Sequence, residues 1–208
     1  MTDVVLPTAD GERLQGIHNV ATGSRGVIVL CHPHPEQGGT MRAPILGAIA
    51  KHAVAQGLDV LRFNFRGVGE STGTHGRGEA ELHDVEAAMT YAADLDLSVV
   101  GLAGWSFGAV VALRWQAETG STAPFAGIAP PVRSEYTPTL PEPAALQQAR
   151  RGFIVGDRDQ FVDSDELTQY AASISAKIVQ YPGTDHFFVF KHQQLAEDVV
   201  TMITDETV

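Results

Sequence analysis

Hydrophobic positions in this chain gather into short unbroken runs, separated by longer segments of mixed character. Gly26–Cys31, Leu58–Phe63, Val99–Ala103, Phe125–Ala129, Gly152–Val155 and Lys177–Tyr181 are such runs, rich in β-branched residues. Runs too short for helices predict strands, and continuous apolar ones predict strands buried on both faces. Residues 2–6 and 12–20 predict two more strands, joined by the turn Thr8-Ala9-Asp10-Gly11. Between the runs, helices are predicted at about Met41–Gln56, Glu79–Ala93, Ala109–Trp115, Asp163–Ser173 and Val189–Ile203. In the second of these, Leu82, Val85, Ala88, Met89 and Ala92 recur at helical spacing. Gly57 suits the left-handed residue that stops the first.

After the opening hairpin, strand and helix alternate. Alternation of this kind predicts an α/β fold: a mostly parallel sheet with an N-terminal antiparallel hairpin and helices on both faces. Ligands in such sheets sit beyond the carboxyl ends of the strands. There is no internal repeat and no long linker, so residues 1–208 read as one domain. The proline-rich stretch 131–148 predicts a short flap rather than a cap domain.

Charge narrows the partners. Twenty-five acids against 14 bases give a net charge of −11, which argues against nucleic acid and anionic membrane surfaces. The single cysteine, Cys31, excludes an internal disulfide and fits a reducing compartment. At the end of an apolar strand it reads as an inert core thiol. No basic segment followed by an apolar one opens the chain, and no apolar run has membrane-spanning length. A cytoplasmic protein is expected.

The candidate chemistry lies just after the strands. Ser98–Gly108 reads SVVGLAGWSFG: a buried strand, then Gly104-Trp105-Ser106-Phe107-Gly108, then a helix. In this context G-x-S-x-G signals a nucleophile elbow, a serine held in a strained turn clear of the sheet. A serine hydroxyl needs a base, and His186, after the last strand and before the last helix, is the best placed of eight histidines. The base needs an orienting acceptor, which Asp157 or Asp159 in Gly156–Val162 can supply.

Acyl transfer also needs two N–H groups for an oxyanion. One follows the nucleophile, at Phe107. The other is expected from the loop His32-Pro33-His34-Pro35, where both prolines lack an N–H and only the His34 amide between them can donate. His32, Trp105 and Tyr136 are candidate pocket walls. Two close histidines could suggest a metal pair, but His-x-His with no third ligand group nearby is a weak signal, and no metal is expected. Arg66 and Ser71, in the glycine-rich loop Asn64–Gly78, read as residues that tie the loop down.

Three motifs in register, His-Pro-His-Pro with Gly-Gly-Thr-Met, Phe-Arg-Gly-Val-Gly-x-Ser and Gly-Trp-Ser-Phe-Gly-Ala, resemble small bacterial α/β-hydrolases without a large cap. The loop Gly156-x-x-Asp159-x-x-Val162 looks like the acid loop of dienelactone-hydrolase-like members. The order Ser, acid, His is that of the superfamily. The resemblance implies Asp159, three residues after the glycine, as the acid, with Asp157 in the turn and Asp163 capping the next helix. It implies a Ser106–His186–Asp159 serine hydrolase acting on a small-molecule ester, or a thioester, with no metal or organic cofactor. A non-catalytic protein on the same fold is the rival reading.

Overall fold

The computed structural model describes residues 1–95 and 97–204. Its strands are β1 (Thr2–Pro7), β2 (Arg13–Asn19), β3 (Val27–Cys31), β4 (Asp59–Phe63), β5 (Val99–Trp105), β6 (Phe125–Ile128), β7 (Arg151–Gly156) and β8 (Lys177–Tyr181). Its helices are α1 (Pro44–Ala55), α2 (Glu81–Asp94), α3 (Phe107–Thr119), α4 (Ser164–Ser173) and α5 (His192–Thr204). The strands form one sheet in the order β1-β2-β4-β3-β5-β6-β7-β8. β2 pairs antiparallel with both β1 and β4, and every other pair is parallel.

The apolar runs become the central strands because both faces are covered. α1 packs on α5, and α2 packs on α3. β5 shows the two faces directly. A side chain at Gly101 would strike Ile203 of α5, whereas one at Gly104 would meet the backbone of Ala109 in α3. Residues an odd number apart point to opposite sides of a strand, so α5 and α3 lie on opposite faces. Every residue of β3 and β4 is buried, while β8 at the sheet edge mixes exposed, half-buried and buried residues.

The order reverses at β3, which has β4 on one side and β5 on the other. Connections leaving β3 and β5 diverge there and open a crevice at the carboxyl ends. The loop predicted to hold the oxyanion and the elbow serine are the two segments that leave it.

Helix starts differ from expectation where turns intervene. α1 begins at Pro44, after an Ala43-to-Thr40 backbone hydrogen bond, and a proline at the first helical position is pre-set for that place. The last helix begins at His192 rather than Val189. Phe188 and Phe190 have φ of +50° and +65°, and the Lys191 amide closes a turn onto Phe188. Residues 131–148 form a flap with one 3₁₀ turn, Pro143–Ala145, tied to α4 by a hydrogen bond from the Tyr170 hydroxyl to the Pro141 carbonyl. Among the described residues no helix is long and apolar enough to cross a membrane.

Candidate active site

Ser106 links β5 to α3 with φ +54° and ψ −120°. Conformations of this kind cost about 1–3 kcal/mol and persist only when the surroundings enforce them. Here the Ser106 amide donates to the Ile128 carbonyl of β6 at 2.8 Å, while its carbonyl accepts from Ala109 and Val110. The flanking glycines answer to close approach. A Cβ at Gly104 would lie 2.5 Å from the Ala109 nitrogen, and one at Gly108 would lie 2.3 Å from the His32 carbonyl oxygen. Elbow, α3 and the β3 loop are therefore pressed together. Phe107 is the first residue of α3, so its N–H has no intrahelical partner and sits at the positive end of the helix dipole.

The β8–α5 connection carries His186 and the β7–α4 loop carries Asp159. Their side chains meet, His186 Nδ1 to Asp159 Oδ2, at 2.8 Å. The other oxygen, Oδ1, accepts from the amides of Phe161 and Val162, at 2.8 and 3.0 Å. Two backbone donors on one oxygen leave the second aimed at the ring. The carboxylate is fully buried and the imidazole nearly so. Asp157 accepts from the Gly183 amide instead, bracing the turn after β8, and Asp163 caps α4 through the amides of Asp165 and Glu166. Around the His186 ring stand Phe161, Phe187 and Trp105, with centroids 5.0, 5.7 and 5.8 Å away.

His34 lies between its prolines and against Phe107, ring to ring at 5.1 Å. Its Nδ1 accepts from the Glu36 amide, so Nε2 carries the proton and donates to the Tyr136 carbonyl of the flap at 2.8 Å. Burial pushes this imidazole below the ordinary histidine value. Among the described residues the His34 amide donates to no other backbone group. Ser106, His186 and His34 line one cleft of about 290 Å³, with Pro131, Tyr136 and Phe161 opposite.

Of the three expected pocket walls, only Tyr136 lines this cleft, and it is 68% exposed at the mouth. His32 is not a wall. It is fully buried, its Nε2 accepts from the Phe65 amide at 3.0 Å, and its Nδ1–H donates to the Pro33 carbonyl. Burial, the larger cause, holds its pKa down at about 4. Trp105 lines a separate apolar groove of about 510 Å³ with Ile45, Phe187 and Phe190, a groove that does not include Ser106. Arg66 and Ser71 are loop ties: the guanidinium binds Asp84 and Asp10, and the Ser71 hydroxyl donates to the Asn64 carbonyl. Cys31 is fully buried, with its thiol pushed far up by desolvation. Sequence reasoning missed Phe161 and Phe187. Their one signal is adjacency to the acid loop and to His186.

Comparison with known proteins agrees with this architecture. Residues 24–205 match the family model described as an alpha/beta hydrolase domain. An uncharacterised protein of Rickettsia prowazekii is 31% identical over 202 residues, covering 90% of this chain and 82% of its own. The Xanthomonas campestris structure described as an α/β serine hydrolase without lid is 27% identical, with a TM-score of 0.83 over 98% of this chain and 94% of that one. An α/β serine hydrolase homologue from Coxiella burnetii is 30% identical, with a TM-score of 0.80 over 96% and 95% of the two chains. A Pyrococcus furiosus esterase shares the fold at 21% identity, with a TM-score of 0.80 over 98% and 92%. With its sheet order, its strained elbow and a family match over most of its length, the chain belongs to the α/β-hydrolase family.

Proposed function

We propose that this protein is a serine hydrolase that cleaves carboxylic esters through an acyl-enzyme, with Ser106 as nucleophile, His186 as base and Asp159 as its orienting acid. The observation that carries the reading is the 2.8 Å His186–Asp159 pair sharing a cleft with a serine held at φ +54°. Asp159 fixes the proton on Nδ1, so Nε2 is the basic nitrogen. Nε2 takes the Ser106 proton as Oγ bonds to the carbonyl carbon, and the carbonyl electrons move onto oxygen. The amides of Phe107 and His34 receive that oxyanion. The tetrahedral intermediate expels the alcohol, which leaves with the proton from His186. Water then repeats the sequence and frees the acid and Ser106. No step calls for a metal or organic cofactor.

The cleft, about 290 Å³, is small, which favours compact acyl groups. Thioesters would use the same apparatus. The test is labelling by a fluorophosphonate probe, with turnover of short p-nitrophenyl esters, in the parent and in Ser106→Ala, Asp159→Asn and Asp157→Asn. The parent labels and turns over, and Ser106→Ala does neither. Asp159→Asn loses about 10³–10⁴-fold in kcat because the ring tautomer is no longer fixed. Asp157→Asn, which touches only the Gly183 turn, keeps most of the activity. A parent that neither labels nor turns over would mean a ligand-binding protein on this fold.

A further inference from the structure

His34 and Glu36 flank Pro35 in the loop after β3, and His75 arrives from the separate loop Asn64–Gly78. One donor atom from each lies within 4.8 Å of the others. His32 takes no part, both its ring nitrogens being engaged in the core, so the fold completes the cluster by bringing His75 to His34 and Glu36. We propose that His34, Glu36 and His75 bind a borderline divalent transition-metal cation, with Zn²⁺ the best match, at the rim of the cleft.

The state of His75 is the main argument. Its Nδ1 is 2.9 Å from Oε1 of Glu81, and Glu81 is fully buried. That carboxylate also accepts from the amides of Gly76 and Gly78, each at 2.7 Å. An acceptor facing three donors keeps the proton on Nδ1 and leaves Nε2 with a free lone pair. A buried carboxylate fixing the far nitrogen of an imidazole is the arrangement that orients metal-bound histidines. In His34 the lone pair on Nδ1 meets only the Glu36 amide, at 3.2 Å. Glu36 is exposed, so its carboxylate can reorient at little cost.

Two imidazoles and a carboxylate suit Zn²⁺ better than Mg²⁺ or Ca²⁺, which take oxygen ligands. Tetrahedral Zn²⁺ needs donor atoms about 3.3 Å apart, so the cluster must close by about 1.5 Å at most. Closing it requires rotation of exposed Glu36 and a tilt of the His34 ring that gives up the 3.2 Å hydrogen bond from the Glu36 amide. A fourth position faces an open cleft of about 630 Å³ bounded by Gln37, Glu135 and Tyr136. That cleft shares His34 and Tyr136 with the one that holds Ser106. Binding is independent of the hydrolase reading. Its consequence rests on that reading: a cation on His34 displaces the oxyanion amide and inhibits.

The test is titration of the full-length protein with Co²⁺, read by its visible ligand-field bands, and with Zn²⁺ by calorimetry. Parent, Glu36→Gln, His75→Ala and His186→Ala are compared. The site predicts one equivalent bound in the parent, affinity at least tenfold weaker in Glu36→Gln and His75→Ala, and His186→Ala unchanged. No binding, or binding indifferent to both Glu36→Gln and His75→Ala, overturns it. Loss of binding in His186→Ala also overturns it, by assigning the metal to the His186–Asp159 pair. Exposed Glu36 tests the site even if His75→Ala, which strands Glu81, fails to fold. In a parallel ester assay, Zn²⁺ lowers the parent rate and lowers that of Glu36→Gln far less, each against its own metal-free rate. A protein that binds metal but hydrolyses no ester separates the two proposals.

Discussion

Among the described residues, three histidines face carboxylates at hydrogen-bond distance: His186 with Asp159, His18 with Asp59 and His75 with Glu81. Pairing alone therefore does not mark a general base. His18 is buried, and its other nitrogen meets the Tyr91 hydroxyl. Of these three, His186 shares a cleft with the strained Ser106. Its ring is held from the sides by Phe161, Phe187 and Trp105, so orientation depends on packing as well as on Asp159. Phe161→Ala removes one wall without touching the carboxylate's hydrogen bonds, which use the Phe161 backbone. It should lower kcat by about tenfold, equivalent to about 1.4 kcal/mol of lost positioning, in steady-state assays on a short ester. An unchanged kcat would show that Asp159 suffices to hold the ring. His32 makes a different residue-scale prediction. Neutral Nε2 accepts from Phe65, and protonation would break that bond inside the core. Its folded pKa, about 4, lies below the ordinary histidine value of 6.5. The unfolded state therefore binds more protons between those values, and stability rises with pH through that window. His32 thus contributes stability above pH 6.5 that is lost as pH falls towards 4, about 3 kcal/mol in full. Its ring resonances should stay neutral at pH 5.5, and a midpoint near 6.5 by NMR would refute the assignment.

At the scale of elements, the central strands were legible as continuous apolar runs because both their faces are covered. The elbow was legible because two glycines, Gly104 and Gly108, mark places where a Cβ would strike neighbouring backbone. What was not legible depends on which group a loop residue meets across space. His32 follows a strand, as the other site candidates do, but the Phe65 amide claims its ring. Asp157 and Asp159 are two residues apart and chemically identical, so residue chemistry leaves both open and the family resemblance alone implies Asp159; the curve of the β7–α4 loop is what separates the one bracing Gly183 from the one reaching His186. The start of α5 differs from the sequence pattern for a related reason. Phe187-Phe188-Val189-Phe190 continues the apolar pattern of the helix, but positive φ at Phe188 and Phe190 leaves no trace in an apolar pattern. The two phenylalanines differ in what the strain is exchanged for. Phe188 is fully buried and packs on Tyr181, whereas Phe190 is 99% exposed. Phe190→Asn should therefore leave stability unchanged or raise it by up to about 1 kcal/mol, since asparagine tolerates this conformation better. Phe188→Ala should cost about 3–5 kcal/mol through the cavity it leaves. Urea midpoints compare the two directly, and equal losses would mean that Phe190 has a packing partner.

For the molecule as a whole, the question is what binds the antiparallel hairpin and the loop Asn64–Gly78 to the parallel part of the sheet. The apolar core reaches the hairpin through Leu6 and Leu14, and β2 pairs with β4; of the polar links, which include Gln15 with Asn64 and Ser71, Arg66 is the one that also reaches α2. Its Nε and Nη2 donate to Asp84 of α2 at 2.9 and 2.7 Å, its amide donates to the same carboxylate, and Nη1 donates to Asp10 of the hairpin turn at 2.8 Å. Asp84 is fully buried, while Asp10 keeps about a third of its side chain in water. The two arms are therefore unequal. Asp10 has solvent as an alternative partner, and Asp10→Asn should cost no more than about 1 kcal/mol. Arg66→Met strands the Asp84 carboxylate away from water and should cost about 3–5 kcal/mol. Burial already raises the Asp84 pKa against the opposing pull of Arg66; without the cation that opposition is lost, so the native state of the variant holds a proton that the unfolded state has released. Stability of Arg66→Met should then fall as pH rises from 5 to 7, relative to the parent. Adding Asp84→Leu removes the stranded charge and should recover most of the loss, a coupling read from the four urea midpoints of a double-mutant cycle. If Arg66→Met/Asp84→Leu is as unstable as Arg66→Met, the arginine's role lies in its contact with the hairpin rather than in neutralising α2. The link also runs towards the proposed metal cluster, because the segment that begins at Arg66 ends with His75 and the glycine turns held by Glu81. Loosening Arg66 should therefore weaken Co²⁺ binding at His34, Glu36 and His75 before it disturbs the His186–Asp159 pair, which sits on the loops that follow β7 and β8 towards the other edge of the sheet.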